Sequence, residues 1–209
     1  ASLTSVQINA MASDDLKALT TAQVRALTSD QLSKLSSDQV ALMATDDIAA
    51  ISTAQISHLS TAAIAALTTA QAKALTTASI NALTSAQVAA IETADLAVLS
   101  TAQLNKLGTA QLAQLTSVQV TALTSAQLKS LSSDQVAALT SAQLNALTSA
   151  QLPSLSSAQV RALSTDQVSK LTTTQIVGLS TAQVAALSTG QVASLTSVQI
   201  NAMASDDLK

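Results

Sequence analysis

Residues 19–26 read Leu-Thr-Thr-Ala-Gln-Val-Arg-Ala, and this eight-residue unit repeats along the whole chain without insertion or deletion. The frame begins at Leu3, and its first position recurs every eight residues up to Met203. Position 1 is always Leu, Met or Ile, position 3 is always Ser or Thr, and position 6 is Val, Leu or Ile except at Ala72. A fixed period over a whole chain predicts a repeat protein.

A second, longer period lies on top of the octads. Residues 1–17 recur without change as residues 193–209, an offset of 192 residues or twenty-four octads. Degenerate octads do not match over seventeen residues by chance. The sequence therefore predicts one continuous array over residues 1–209, which contains one super-repeat and the start of the next, within a much longer parent protein.

The composition limits both the core and the partners. Apolar residues make up 48 % of the chain, but it has no Phe, Trp, Tyr or Cys, so we expect a thin aliphatic core without disulfides. The net charge is −3, the nine basic residues are scattered, and there is no aromatic side chain on which a base could stack. We therefore expect no nucleic-acid partner. No apolar run approaches the ~20 residues of a membrane span, and no signal peptide is visible.

One long α-helix does not fit the octad. Eight residues at 100° each displace position 1 by ~80° per repeat, so the Leu stripe would wind around the helix. A β-solenoid is disfavoured because positions 4 to 8 are rich in Ala and Gln, which favour helix, and because the apolar spacing does not alternate. The remaining interpretation is an all-α solenoid, a superhelix of short capped helices with one helix per octad.

Positions 2 to 5 support this interpretation, because Thr-x-x-Gln is a capping box. Positions 1 and 6 would then form a hydrophobic staple. Charge placement agrees: all twelve acids lie at positions 2, 4 or 5 and all nine bases at positions 7 or 8, which suits a helix dipole that restarts in every octad. We expect positions 1 and 6 inside, with Gln, Ser, Thr, Lys and Asp outside.

Several points stay open in the sequence. Where position 2 is Ala or Glu, as at Ala44 and Glu92, position 5 is Asp, which suggests that positions 2 and 5 interact. Position 3 is stricter than position 2, so either the cap shifts to position 3 in these octads or its hydroxyls bond between neighbouring coils, which we favour. Pro153 implies short helices or a bend. Two, three and four octads per coil are equally compatible with the pattern.

We find no pattern of catalytic, cofactor-binding or metal-ligating residues, and we expect no enzyme. His58 has no Ser, Asp or metal-ligand partner at a defined spacing. The pairs Asp14-Asp15, Asp46-Asp47 and Asp206-Asp207 lack the spaced oxygen donors and Gly of a calcium loop. We interpret them as first-turn acids.

The octad at residues 19–27, Leu-Thr-Thr-Ala-Gln-Val-Arg-Ala-Leu, resembles the octapeptide tracts of giant bacterial surface and secreted adhesin-like proteins. Many such tracts read Leu-Thr-Pro-Glu-Gln, and here Ser or Thr replaces that Pro. The resemblance covers the full chain and implies a passive, length-giving role outside the cell or at its surface. It transfers no functional residue.

Together these features predict a structural rod or fibre segment that acts as a spacer or fibre wall and associates with itself end to end or along a fibre. We expect no small-molecule substrate. The alternative is a regular surface that binds ice or another partner through rows of Ser and Thr. Free mixing of Ser and Thr at positions 2 and 3 disfavours a lattice-matching face.

Overall fold

The computed structural model describes residues 4–206, except for the side chains of Ser5, Ser13 and residues 204–206. Within this range the chain forms twenty-four α-helices and one 3-10 helix, and no strand. Two compact units divide at Leu107 and Gly108. Each unit is an α-solenoid, so the predicted fold class is confirmed.

The first unit is built from thirteen short helices. They are α1 Ser5–Asn9, α2 Ser13–Lys17, α3 Thr21–Ala26, α4 Ser29–Ser33, α5 Ser37–Leu42, α6 Thr45–Ala50, α7 Thr53–Ile56, α8 Thr61–Ala65, α9 Thr69–Ala74, α10 Thr77–Ala82, α11 Ser85–Ala90, α12 Thr93–Val98 and α13 Thr101–Leu104.

The second unit has eleven α-helices, with the 3-10 helix Leu152–Ser154 between α18 and α19. They are α14 Thr109–Ala113, α15 Ser117–Ala122, α16 Ser125–Ser130, α17 Ser133–Ala137, α18 Ser141–Ala146, α19 Ser157–Ala162, α20 Thr165–Ser169, α21 Thr173–Val177, α22 Thr181–Ala185, α23 Thr189–Ala193 and α24 Ser197–Asp206.

Each helix begins after position 2, as the capping box predicts. In α18, Thr140 is the N-cap with extended backbone angles (φ −68°, ψ 157°), and its hydroxyl accepts the N–H of Gln143 at 3.2 Å. In return the Gln143 Oε1 accepts the Thr140 N–H at 2.6 Å. The same reciprocal pair begins most of the described helices, which confirms that the cap lies at position 2.

Most helices end at position 7 or position 8 without any left-handed residue. In α18, the Leu147 N–H donates to the Leu144 carbonyl at 3.1 Å, and the backbone of Leu147 is then extended (φ −58°, ψ 135°). No described residue has a positive φ angle. The chain therefore turns each corner without the glycine that commonly ends a helix, which explains how three glycines suffice for 209 residues.

Helices that lie three octads apart pack against each other within each unit. In the first unit α3 contacts α6, α6 contacts α9 and α9 contacts α12. In the second unit α15 contacts α18, and α19 contacts α22. Since a helix too short to be stable alone needs such neighbours, this contact is what keeps each octad helical.

The core consists of positions 1 and 6, as predicted. At position 6, Ile48, Leu104 and Leu144 have no exposed surface. At position 1, Leu75 and Leu131 are each 4 % exposed. Each octad thus contributes two aliphatic side chains to a thin core.

Pro153 changes the octad in which it lies. Residues 149–151 form a turn, and the 3-10 helix Leu152–Ser154 takes the place of an α-helix. Pro lacks the N–H that an α-helix would use at this point. The neighbouring Leu152 is still fully buried, so the core continues through the irregular octad.

Replacing a capping threonine should weaken its own octad. Thr124→Ala or Thr140→Ala removes the hydroxyl that accepts the N–H of the Gln three residues later, and should cost about 0.5–2 kcal/mol of local stability. Hydrogen exchange of the amides in α16 or α18 measures this cost. The exposed Ala185→Ser is the control and should change little. Equal effects of the threonine and alanine changes would contradict a cap at position 2.

Candidate functional site: the glutamine ladder

The glutamine at position 5 uses both ends of its side-chain amide. Gln143 Oε1 is held by the N-cap amide of its own helix, which directs the Nε2 atom away from that helix. The Nε2 atom then donates to the carbonyls of Leu112 at 2.9 Å and Leu115 at 2.6 Å. One side chain thus satisfies a donor at the beginning of one helix and acceptors at the end of another.

This contact repeats with a constant register, and we call it the glutamine ladder. The acceptors lie 31, 30 and 28 residues before the glutamine, at positions 6, 7 and 1 of the octads concerned. In the first unit the ladder contains Gln39, Gln55, Gln71, Gln87 and Gln103. In the second it contains Gln143, Gln151, Gln159, Gln167, Gln175, Gln183, Gln191 and Gln199.

The ladder supplies the number of octads per coil that the sequence left open. Separations of 28 to 31 residues correspond to between three and four octads. The helix contacts at three octads fit the same value. Each turn of the superhelix in either unit therefore takes between three and four octads.

The prediction that Gln and Asp lie outside is wrong for position 5. Gln143 and Gln159 are each 2 % exposed, and Asp47 and Asp95 are also buried. The reason is that Gln serves the ladder as well as the capping box, and buried polar groups are tolerated when they are hydrogen-bonded. The capping box alone explains why Gln recurs at position 5. The sequence therefore contained no further signal for the bond from its Nε2 atom to another helix.

One ladder bond lies at the boundary between two helices of the first unit. Residues 1–17 and 193–209 have the same sequence. The helix is nevertheless interrupted between α1 and α2, whereas α24 is continuous through the corresponding segment. At the first break, Gln39 Nε2 donates to the carbonyls of Ile8 at 3.1 Å and Asn9 at 3.2 Å. Helix α24 thus extends over parts of two octads, which departs from one helix per octad, whereas the same sequence forms two helices at α1 and α2.

Octads with Ala or Glu at position 2 keep their cap position. Ala44 and Glu92 are the N-caps of α6 and α12, with extended backbone and no side-chain cap hydrogen bond. The cap therefore does not shift to position 3. Instead, a backbone hydrogen bond joins Ala44 to the Asp47 carboxylate, which supports an interaction between positions 2 and 5.

The two buried acids have raised pKa values. Burial raises the pKa of Asp47, as does the neighbouring charge of Asp46, against the lowering by Ala44. Burial and the charge of Glu92 raise the pKa of Asp95 to about 6. Burial disfavours the ionised carboxylate in both cases.

Position 3 hydroxyls bond between coils at three serines of the second unit, as we favoured. Ser157 Oγ donates to the Ala182 carbonyl at 3.2 Å, and Ser117 Oγ donates to the Ala142 carbonyl at 3.5 Å. Ser141 makes a similar contact to Asp166. The partner lies 25 residues ahead in each case, so these bonds run forward while the ladder runs backward.

An open groove of about 500 Å³ lies beside Pro153 in the second unit. Its walls include Lys129 and the hydroxyls of Ser125, Ser156 and Ser180. Lys129 is the one charged side chain that lines it. The groove brings together no acid–base or nucleophile–base pair.

The structure places His58 and the acid pairs that it describes on separate elements of the first unit. His58 is exposed just after α7, Asp14 and Asp15 are exposed, and Asp46 is exposed beside the buried Asp47. The side chains of Asp206 and Asp207 lie outside the described part. Within residues 4–206, no group of three or more His, Cys, Asp or Glu is close enough to hold a metal ion. No helix in that range is long and apolar enough to cross a membrane.

A family model for the ALTTAQ repeat matches residues 8–45, 40–77, 88–125, 120–149, 142–173 and 170–197. The chain belongs to the ALTTAQ repeat family. Comparison with curated proteins gives no match. The six letters of the name appear unchanged at residues 18–23 and 66–71. They contain position 8 of one octad and positions 1 to 5 of the next, which include the staple residue, the cap, the position 3 hydroxyl and the ladder glutamine.

Replacing a ladder glutamine of the ALTTAQ repeat should be costly. Gln159→Glu keeps the box acceptor but removes the donor to the carbonyls of Leu128 and Leu131 and buries a carboxylate. The local free energy of unfolding around α19 should fall by about 1–3 kcal/mol, and more at pH 7 than at pH 4, because burial disfavours the charge.

The matched control is Gln114→Glu, which introduces the same charge at an exposed position 8. Hydrogen exchange of the α19 and α14 amides compares the two variants directly. A Gln114 variant that loses as much local stability as the Gln159 variant would argue against the ladder.

Proposed function

We propose that this ALTTAQ repeat chain is a passive structural segment, a rod or fibre wall of a very large bacterial surface or extracellular protein. The glutamine ladder carries the proposal. Within each unit, the octads with a ladder glutamine contact octads three to four positions earlier through the same atoms. A further turn can therefore be added through the same kind of contact. An architecture of this kind sets a length, and the described residues assemble no site that requires another role.

The proposal includes self-association, end to end or along a fibre. Position 6 is buried through most of the array, but Val192 is 49 % and Ile200 is 50 % exposed in the last described turn. In the first described turn, Gln7 and Gln23 are exposed, and their Oε1 atoms are already held by their own caps. A second copy stacked as the next turn would bury the exposed apolar residues and place carbonyls near the Gln7 and Gln23 Nε2 atoms, as the ladder does within each unit.

Self-association can be tested with the 209-residue polypeptide. We expect its mass in light scattering to exceed that of the 21.0 kDa monomer and to rise with concentration, and we expect filaments by electron microscopy. Val192→Lys with Ile200→Lys should abolish assembly, because two charges would replace the apolar contact.

Val118→Lys is the matched control for this experiment. Val118 is 67 % exposed but lies at position 4 on α15, outside the apolar layer. This variant should assemble like the unchanged chain. A polypeptide that stays monomeric at high concentration, or equal effects of the Val192 and Val118 changes, would contradict end-to-end association.

The location is tested separately. Antibodies against this chain should label intact, unpermeabilised cells that produce the parent protein, and external protease should remove the label. Labelling that requires permeabilised cells would contradict a surface or extracellular role, and it would leave the structural role of the array unaffected.

A further inference from the structure

Asp95 replaces a glutamine within the ladder of the first unit. One octad earlier, Gln87 Nε2 donates to the Leu59 carbonyl at 2.8 Å. One octad later, Gln103 Nε2 donates to the Leu75 carbonyl at 2.7 Å. Asp95 occupies the same position 5 in α12 between them and is 2 % exposed.

The register of the ladder identifies the groups that Asp95 faces. Counting 31 and 28 residues back, as for Gln87, gives the carbonyls of Ile64 and Leu67. An aspartate side chain is one methylene shorter than glutamine and, when ionised, has no hydrogen to donate. Its Oδ2 atom is buried and has no hydrogen-bond partner. In this register an ionised Asp95 would therefore oppose carboxylate oxygen to carbonyl oxygens.

The surrounding charges do not compensate an ionised Asp95. Glu92, at the N-cap of the same helix, adds negative charge and contributes with burial to the raised pKa. On α9, which packs against α12, the charged side chain is Lys73, and it is exposed. Helix α8, which contains Ile64, has no charged residue. Among the described residues the one ion pair is Lys170–Asp166, so Asp95 has none there.

We propose that Asp95 is a proton-dependent joint of the ladder: α12 stays packed on α9 while the carboxyl is neutral, and this contact loosens when the carboxyl ionises. The ligand of this site is a proton. Asp47 differs because a backbone hydrogen bond from Ala44 partly offsets the burial and the Asp46 charge that raise its pKa. The charged side chains on the helices packed against α6 are Arg25 on α3 and Lys73 on α9, both exposed.

The direction of the pH effect follows from linkage. The pKa of Asp95 is raised from 3.8 to about 6 in the folded chain. The folded state therefore binds the proton more tightly than the unfolded state does, so the contribution to stability is complete below pH 3.8 and is lost as the pH rises through about 6. The opening equilibrium of α12 should rise roughly tenfold to hundredfold between pH 4 and pH 7.

Hydrogen exchange of the full chain tests this joint. Protection factors of the Leu96 and Leu99 amides, corrected for the intrinsic pH dependence of exchange, should fall from pH 4 to pH 7 in the unchanged protein. Asp95→Gln should remove this dependence and raise protection at pH 7, because glutamine restores the donor. Asp95→Ala should also remove it, and Ala63 at the same position of α8 shows that such an octad folds.

Asp38→Asn is the matched control, since Asp38 is an exposed acid at position 4 of α5 in the same unit. It should leave the pH dependence at α12 unchanged. In parallel, NMR should show the Asp95 carboxyl titrating near pH 6. Titration near 3.8, or a pH dependence at α12 that persists in Asp95→Gln, would overturn the proposal. Neither outcome affects the structural role, which the assembly experiment tests.

Discussion

The carbonyl groups freed at the end of each short helix are the constraint on which the rest of the structure depends. A helix of five or six residues leaves nearly all of its terminal backbone groups without an intrahelical partner. At the beginning the Thr or Ser hydroxyl and the Gln Oε1 solve the problem locally. At the end the solution comes from another turn, through the Nε2 atom of a glutamine about thirty residues later. A structure whose helices end every eight residues is therefore stable only because its turns stack.

The ladder and the aliphatic core reinforce each other. Position 6 directly follows the ladder glutamine in sequence. The burial of Leu144 in the core therefore goes together with the orientation of the Gln143 amide toward the Leu112 carbonyl. Because a polar group in a buried place must find its partner, the ladder sets the register between turns, which a core made only of Leu, Val, Ile and Ala would specify weakly. The composition, without a single aromatic residue, is adequate because directional bonds provide the specificity.

Much of the local structure could be predicted from the sequence. The capping box, the hydrophobic staple and the placement of acids and bases each involve residues within or next to a single octad. The caps at Thr140 and its equivalents and the buried positions 1 and 6 follow from these patterns. The contact between Gln143 and Leu115 could not be predicted, because every octad offers the same carbonyls and nothing in the sequence singles out a separation of 28 residues. Nor could the difference between α24 and the pair α1 and α2 be predicted, since the two segments have the same sequence.

The constant register also determines how such a gene can change in length. Gln71 binds the carbonyls of Val40 and Met43, and loss of one whole octad between them would present the carbonyls of Leu32 and Leu35 instead, which occupy the same positions of the repeat. Loss of a single residue would present the wrong positions to every glutamine whose bond spans the deletion. Slippage or recombination in multiples of twenty-four nucleotides thus preserves the register of the ladder, whereas other in-frame changes shift it. The ladder therefore constrains the length of each octad but does not constrain the number of octads.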